Sequence, residues 1–201
     1  HFMKKHTDVP VIFLDFYDKE LAKDAVIADN FYGMYLMTGY LFEQGFTKMA
    51  YVGSIHATSS IMDRYCGFYK AQLEHGQVLP EEWLIEDRDE KGYMDITLPQ
   101  HMPEAFVCNC DLAAGMLIQE LEKQGYRVPE DISVVGFDNY LYPGVTDKNI
   151  TSYEVNIQVM VKVALEKALK QIKNPDSGRG LSIVSGKIVE KESVQKICRE
   201  S

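Results

Sequence analysis

The sequence has no apolar run approaching the ~20 residues that span a bilayer. No apolar core of signal-peptide length follows its basic start, HFMKKHTDVP. Neither a membrane span nor a secretion signal is read from it. Basic residues are not in excess: 21 Lys+Arg stand against 30 Asp+Glu, for a formal net charge of −9. Such a surface repels phosphate backbones, so the chain by itself is a poor nucleic-acid binder. Cysteine is scarce, with four residues, Cys66, Cys108, Cys110 and Cys198. No pair has a secreted-scaffold spacing, and Cys108 and Cys110 are too close and too strand-like to bridge. Reduced thiols in a cytoplasmic protein are expected. Cys-x-Cys with no nearby His or second Cys pair falls short of a zinc site, so no metal and no cofactor is expected. There is no Gly-x-Ser-x-Gly elbow, no phosphate loop and no glycine-rich dinucleotide fingerprint after a strand. Nothing argues for catalysis, and the chain is read as a non-enzyme.

What is present is ordinary globular material, 46% hydrophobic and 25% charged, enough for one large domain or two small lobes. VPVIFLDF (9–16) is a continuous apolar run and reads as a strand buried on both faces. DAVIADN (24–30) is a second short apolar run, and FYGMYLMTGYLFEQG has helical spacing with Gly45 as its C-terminal stop. KMAYVGS, WLIED, EAFVCNC and DISVVGFD read as strands; SSIMDRYCGFYKAQLEHG, LAAGMLIQELEKQG and VNIQVMVKVALEKALKQIKN read as helices. Asp111 is placed to cap the helix that follows it. Tyr93 is assigned to a helix after the DRDEKGY loop. GLSIVSGKIVEKESV closes the chain with one or two strands.

Strand alternating with helix over short connections implies a parallel sheet covered by helices. In such sheets ligands bind outside the carboxyl ends of the strands. The polar residues ending the strands are Asp15, Asp29 and Asn30, Ser54, Asp87 to Asp89, Asn109 to Asp111, and Asp138 with Asn139. Acids and amides in these positions suit a polar, hydroxyl-rich ligand.

MDRYCGFYKAQLEHG, AFVCNCDLAAGMLIQELEKQGYRVPEDISVVGFDN and IVSGKIVEKESV occur in an order and spacing that resemble the effector-binding domain of the LacI/GalR family of bacterial transcription regulators. GYRVPEDISVVGFDN is the most specific stretch, and the resemblance runs from about Pro10 onward. It implies an α/β fold of the periplasmic-binding-protein type: two lobes of parallel sheet and helices, joined by crossover strands, with the effector in the cleft. On that basis residues 1–27 and 154–177 are expected in an incomplete first lobe, and residues 28–153 and 178–201 in the second. It further implies that the helix-turn-helix DNA-binding domain, a hinge helix and most of the first lobe precede this sequence. The partners implied are a small sugar or sugar derivative, a second copy in a homodimer, and operator DNA reached through the absent domain; no membrane is implied.

The resemblance also marks residues for the ligand. Arg64 is implied to point into the cleft and use its planar fork of donors; the alternative is a surface Arg paired with Asp63 or Glu43. Asp138 would accept two hydrogen bonds from vicinal hydroxyls and balance Arg64; the alternative is a turn Asp, and Asn139 could simply shape that turn. Thr58 and Ser60 would face the cleft, or else would supply an N-terminal cap for the Arg64 helix, a role Ser59 or Ser60 could fill equally well. Cys110 stands where the family often has Asn, Gly or Ser, and a thiol is a weak partner. Asn109, one residue earlier, should face the other way by strand alternation. Asp89, with Arg88, takes the loop position where sugar-binding members place a stacking aromatic, which points to a more polar or charged effector, such as a phosphorylated or acidic sugar; the alternative is that the stacking aromatic comes from the rest of the first lobe. The apolar face of helix 112–124, with Met116, Leu117 and Leu121, and the surface from Tyr140 to Val145 are candidate dimer contacts; core is the default for the helix face. The rival from another class is a periplasmic or extracellular sugar-binding protein serving transport or chemotaxis, which shares the fold.

Overall fold

The computed structural model describes residues 9–18, 24–140, 142–175, 177 and 179–197. Its elements, in order, are β1 (Phe13–Leu14), β2 (Asp24–Ala28), α1 (Asn30–Glu43), β3 (Met49–Val52), α2 (Ser59–Glu74), β4 (Leu84–Ile85), β5 (Ala105–Cys108), α3 (Asp111–Lys123), β6 (Ser133–Asp138), β7 (Thr151–Glu154), α4 (Ile157–Lys173), β8 (Gly180–Val184) and β9 (Lys187–Val189). A single turn of tighter helix, Glu81–Trp83, leads into β4.

Two sheets result. One has three strands in the order β1-β2-β8, all parallel. The other has six, β4-β3-β5-β6-β7-β9, parallel except where β9 runs against β7. The expected α/β architecture is borne out. The reason is visible in β6, whose first five residues are all buried. Val134 packs with Ala50, Val52, Phe106 and Cys108 under α3, while Val135 and Phe137 pack with Tyr51, Val107 and Tyr153 under α1 and α2. Side chains alternate across a strand, so covering both faces requires a continuous apolar run. The apolar face of α3 is part of this core: Leu117 and Leu121 are fully buried and pack on the sheet, the default for such spacing.

Four expectations are corrected. The run 9–16 forms only the two-residue β1, with Leu14 at 42% exposure. It lies at the edge of its sheet with β2 as its one partner strand among the described residues, so it is not buried on both faces. Residues 180–184, grouped from sequence with the second lobe, pair along their whole length with β2 in the three-stranded sheet. That pairing joins segments 156 residues apart, which no local pattern encodes. Tyr93 is not helical: residues 86–104 form a loop in which Asp89 accepts from the amides of Lys91 and Tyr93 (2.9 Å each). Asp111 does not cap α3. Cys110 occupies the cap position without a side-chain bond, and Asp111 is the first helical residue.

Candidate functional site

The carboxyl ends of β3, β4, β5 and β6 meet the starts of α1 and α2. Arg64, in the second turn of α2, is 5% exposed among them. Its Nε donates to Asn30 Oδ1 (2.8 Å), Nη1 to the Asn109 carbonyl (2.7 Å) and Nη2 to Asp138 Oδ1 (3.2 Å). Its guanidinium carbon lies 4.0 Å from the centre of the Phe137 ring. Sequence reasoning paired Arg64 with Asp138, and the structure joins them across 74 positions. Neither Asp63 nor Glu43 partners it; Asp63 accepts from Tyr17 OH (3.0 Å). Asn30, which sequence reasoning noted only as a strand end, is the third member.

Asp138 remains 28% exposed at its side chain and holds φ at +99°, with Asn139 at +54°. A left-handed aspartate is uncommon and costs backbone strain, which surrounding structure must hold. Here Asn139 is tied down: its amide donates to Ser152 Oγ (3.0 Å), its Nδ2 to Glu154 (2.9 Å), and its Oδ1 accepts from Lys191 (2.6 Å). Burial pushes the Asp138 carboxyl up to about 6; Arg64 pulls it down and Asp15 pushes it up further.

Asp15 follows β1 with φ +68° and is likewise raised by burial, against the pull of Arg64. Its carbonyl accepts from Ser60 Oγ (2.7 Å), so Ser60, buried at the start of α2, ties the three-stranded sheet to the six-stranded one. Between the sheets lies a cavity of about 300 Å³. Its walls are two carboxylates, Asp15 and Asp138, two tyrosines, Tyr140 and Tyr142, and an apolar floor of Val155, Ile157 and Met160.

The other expected residues divide. Thr58 is exposed and is the helix cap, accepting from the Ile61 amide (3.1 Å), the alternative to a cleft role that the sequence left open. Asp89 is exposed and its carboxylate serves its own loop, so it stands outside the cluster. Cys110 lies close enough to Asp138 and Arg64 to feel both, and burial pushes its thiol up to about 11, which keeps it protonated. Cys66, Cys108 and Cys110 are free thiols; Cys198 lies outside the described residues. Among the described residues no group of three or more His, Cys, Asp or Glu is placed to hold a metal ion, and no helix is long and apolar enough to cross a membrane.

Two networks were not foreseen. Asp87, fully buried, accepts from the Ser54 amide (2.9 Å), from Arg88 Nε (3.0 Å) and Nη2 (2.9 Å), and from Asn109 Nδ2 (2.7 Å). Burial alone would raise this carboxyl; the bonds from Arg88, Asn109 and Ser54 hold it down at about 2. The Asn109 side chain thus faces away from the cavity, as strand alternation requires, and its carbonyl serves Arg64. Asp111, 4% exposed, accepts from Ser152 Oγ (2.7 Å) and from the Tyr140 amide (2.7 Å). Burial raises its carboxyl to about 7, against both of those bonds. A Cβ on Gly136 would stand 2.0 Å from Asp111 Oδ1, so glycine is required there. Both acids were on the list of strand-end polar residues; what sequence lacked was their partners.

Comparison with known proteins finds a family model, curated relatives and solved structures similar to this chain. Residues 38–194 match the model of the family described as periplasmic binding protein-like domain. A curated protein, the HTH-type transcriptional repressor PurR of Vibrio vulnificus (strain CMCP6), is 29% identical over 200 residues, covering 97% of this chain. The chain spans 60% of that relative's length. Solved structures share the fold. A putative transcriptional regulator LacI from Bacillus cereus subsp. cytotoxis NVH 391-98 superposes with TM-score 0.80 at 22% identity, covering 98% of this chain and 72% of its own. A LacI family transcriptional regulator from Enterococcus faecium, with bound ribose, gives TM-score 0.78 at 22% identity, covering 98% and 74%.

Proposed function

We propose, from the premise that this chain belongs to the periplasmic binding protein-like domain family, that it is the effector-sensing part of a LacI-type transcription regulator. It binds a small sugar-like molecule between its two sheets and passes the resulting change in their relative angle to operator DNA through a DNA-binding domain elsewhere in the protein. The protein works in the cytoplasm as a homodimer, with the surface from Tyr140 to Val145 as a candidate contact. The observation that carries the reading is the Arg64–Asp138 contact (3.2 Å) at the mouth of a cavity walled by both sheets. The relatives, repressors similar along nearly the whole chain, support it over a transport-linked binding protein.

Asp138 is the acceptor for ligand hydroxyls. Arg64 orients it, and the thiol of Cys110 stands beside both. Because the cavity takes Asp15, Ile157 and Met160 from one side and Asp138, Tyr140 and Tyr142 from the other, a ligand held there touches both sheets. It can then favour one inter-sheet angle by its differential affinity for the two states. The test is a thermal-shift screen of the full-length protein against sugars, sugar phosphates and nucleobases, followed by operator-DNA binding with the best hit. Asp138→Ala is expected to abolish the ligand response. A response unchanged in both Asp138→Ala and Arg64→Ala sinks the reading.

A further inference from the structure

We propose that the effector carries a protonated amine, seated between the carboxylates of Asp15 and Asp138 beside Tyr140 and Tyr142: an amino sugar or a polyhydroxylated amine of similar size. The inference rests on the cavity being the effector site and names the chemistry it selects.

Charge decides the class. The described residues lining the cavity include two carboxylates and no cation. The nearby cations are engaged. Arg64 is 5% exposed and donates from all three nitrogens, to Asn30, Asn109 and Asp138. Arg88 is held by two bonds to the fully buried Asp87, a neutral pair closed on itself. Lys191 bonds Asn139 (2.6 Å) and Lys187 pairs with Glu154 (3.4 Å). Among the described residues, Asp15, Asp138 and Arg64 sum to one negative charge at the cavity. The Asp15 carboxylate accepts no hydrogen bond from any described residue, although its backbone is anchored at both its amide and its carbonyl.

Both acids feel that imbalance, since burial raises each and Asp15 raises Asp138 further. Desolvated carboxylates are stabilised by an incoming cation and destabilised by an incoming anion. The remaining walls are two tyrosines and three aliphatic or thioether side chains, of which Tyr140 and Ile157 are more than half exposed, and the tyrosines offer π faces to an ammonium group. Two carboxylates are few for a hard divalent ion, which takes about six to eight oxygens, whereas one ammonium with three donors matches two acceptors. A cavity of about 300 Å³ sits at the small end for ligand sites, the size for a monosaccharide. The loop position of Arg88 and Asp89 pointed, from sequence, toward a phosphorylated or acidic sugar; the two bonds that hold Arg88 on Asp87 are the ground on which this proposal departs from it.

The test uses the full-length protein and three probes of one skeleton: glucosamine, glucose and glucose 6-phosphate, measured by calorimetric titration at neutral pH. Glucosamine is expected to bind at least about tenfold tighter than glucose, and glucose 6-phosphate more weakly than either. Asp15→Asn, which keeps a residue tolerant of positive φ, is expected to bring glucosamine to within about threefold of glucose. Equal or tighter binding of the phosphate, or an amine preference untouched by Asp15→Asn, overturns the proposal. If glucose or its phosphate binds without amine advantage and Asp138→Ala abolishes that binding, the amine is wrong and the effector cavity stands. Silence of all three probes overturns the amine and leaves the broader sugar and nucleobase screen to judge the cavity.

Discussion

Two arginine–aspartate pairs sit at strand ends of the same sheet, Arg64 with Asp138 and Arg88 with Asp87. Their chemistry is the same, yet burial leaves Asp138 raised to about 6 while Asp87 is held at about 2. The difference is in the number of donors. Asp87 receives four hydrogen bonds from Ser54, Arg88 and Asn109. Among the described residues Asp138 receives one, at 3.2 Å, from an arginine already shared with Asn30 and Asn109. A saturated carboxylate is structural; an undersupplied one facing a cavity has acceptor capacity left for a ligand. An arginine beside an aspartate therefore does not by itself tell the two carboxylates apart, and the donors around each do.

Removing Asp87 should cost most. Asp87→Ala strips partners from Arg88, Asn109 and the Ser54 amide, and is expected to destabilise the fold by about 3–5 kcal/mol in denaturant unfolding. Arg64→Ala removes the pull that keeps the Asp138 carboxyl down and leaves two buried acceptors bare; about 3 kcal/mol is expected, together with loss of the ligand response. A loss as small as a surface ion pair's, under 1 kcal/mol, in either variant would erase the contrast drawn above.

The pH dependences should run in opposite directions. A carboxyl raised in the folded state binds more protons folded than unfolded, so Asp138 costs stability as pH climbs from about 4 through 6. Asp87, lowered, contributes stability above about 4 that is lost as pH falls toward 2. Relative to Asp138→Asn, the unsubstituted protein is expected to lose on the order of 2 kcal/mol between pH 4 and 7. Carbon-13 carboxyl titration reads the same contrast directly, with midpoints near 6 for Asp138 and near 2 for Asp87. Coincident midpoints would break it.

The smallest effects belong to residues that sequence placed in the cleft and the structure does not. Thr58→Ala should cost about 1 kcal/mol as a lost helix cap. Asp89→Ala should cost under about 0.5 kcal/mol. Both should leave effector affinity within about twofold, by calorimetry. A tenfold loss in either would return that residue to the site.

Much of this was legible beforehand. Continuous apolar runs marked parallel strands because strands covered on both faces have no polar side to show. Asp138 was among the residues ending those runs, which gather at one edge of the sheet; Arg64 lies inside a helix and entered only through the family resemblance. Asp89 and Thr58 came from the same reasoning and are used locally, by a loop and a helix start. A short polar side chain bonds its own backbone as readily as a ligand, and spacing does not say which it does.

The sequence by itself determined the alternation of strand and helix, the covered sheet and the set of polar groups at its edge, because these follow from periodicity and local capping. The tertiary structure alone decided that β8 joins β2, that Arg64 is enclosed, and that Asp87 is saturated while Asp138 is not. Those outcomes depend on which distant donors reach each carboxylate, and a distance in space is not written in a distance along the chain.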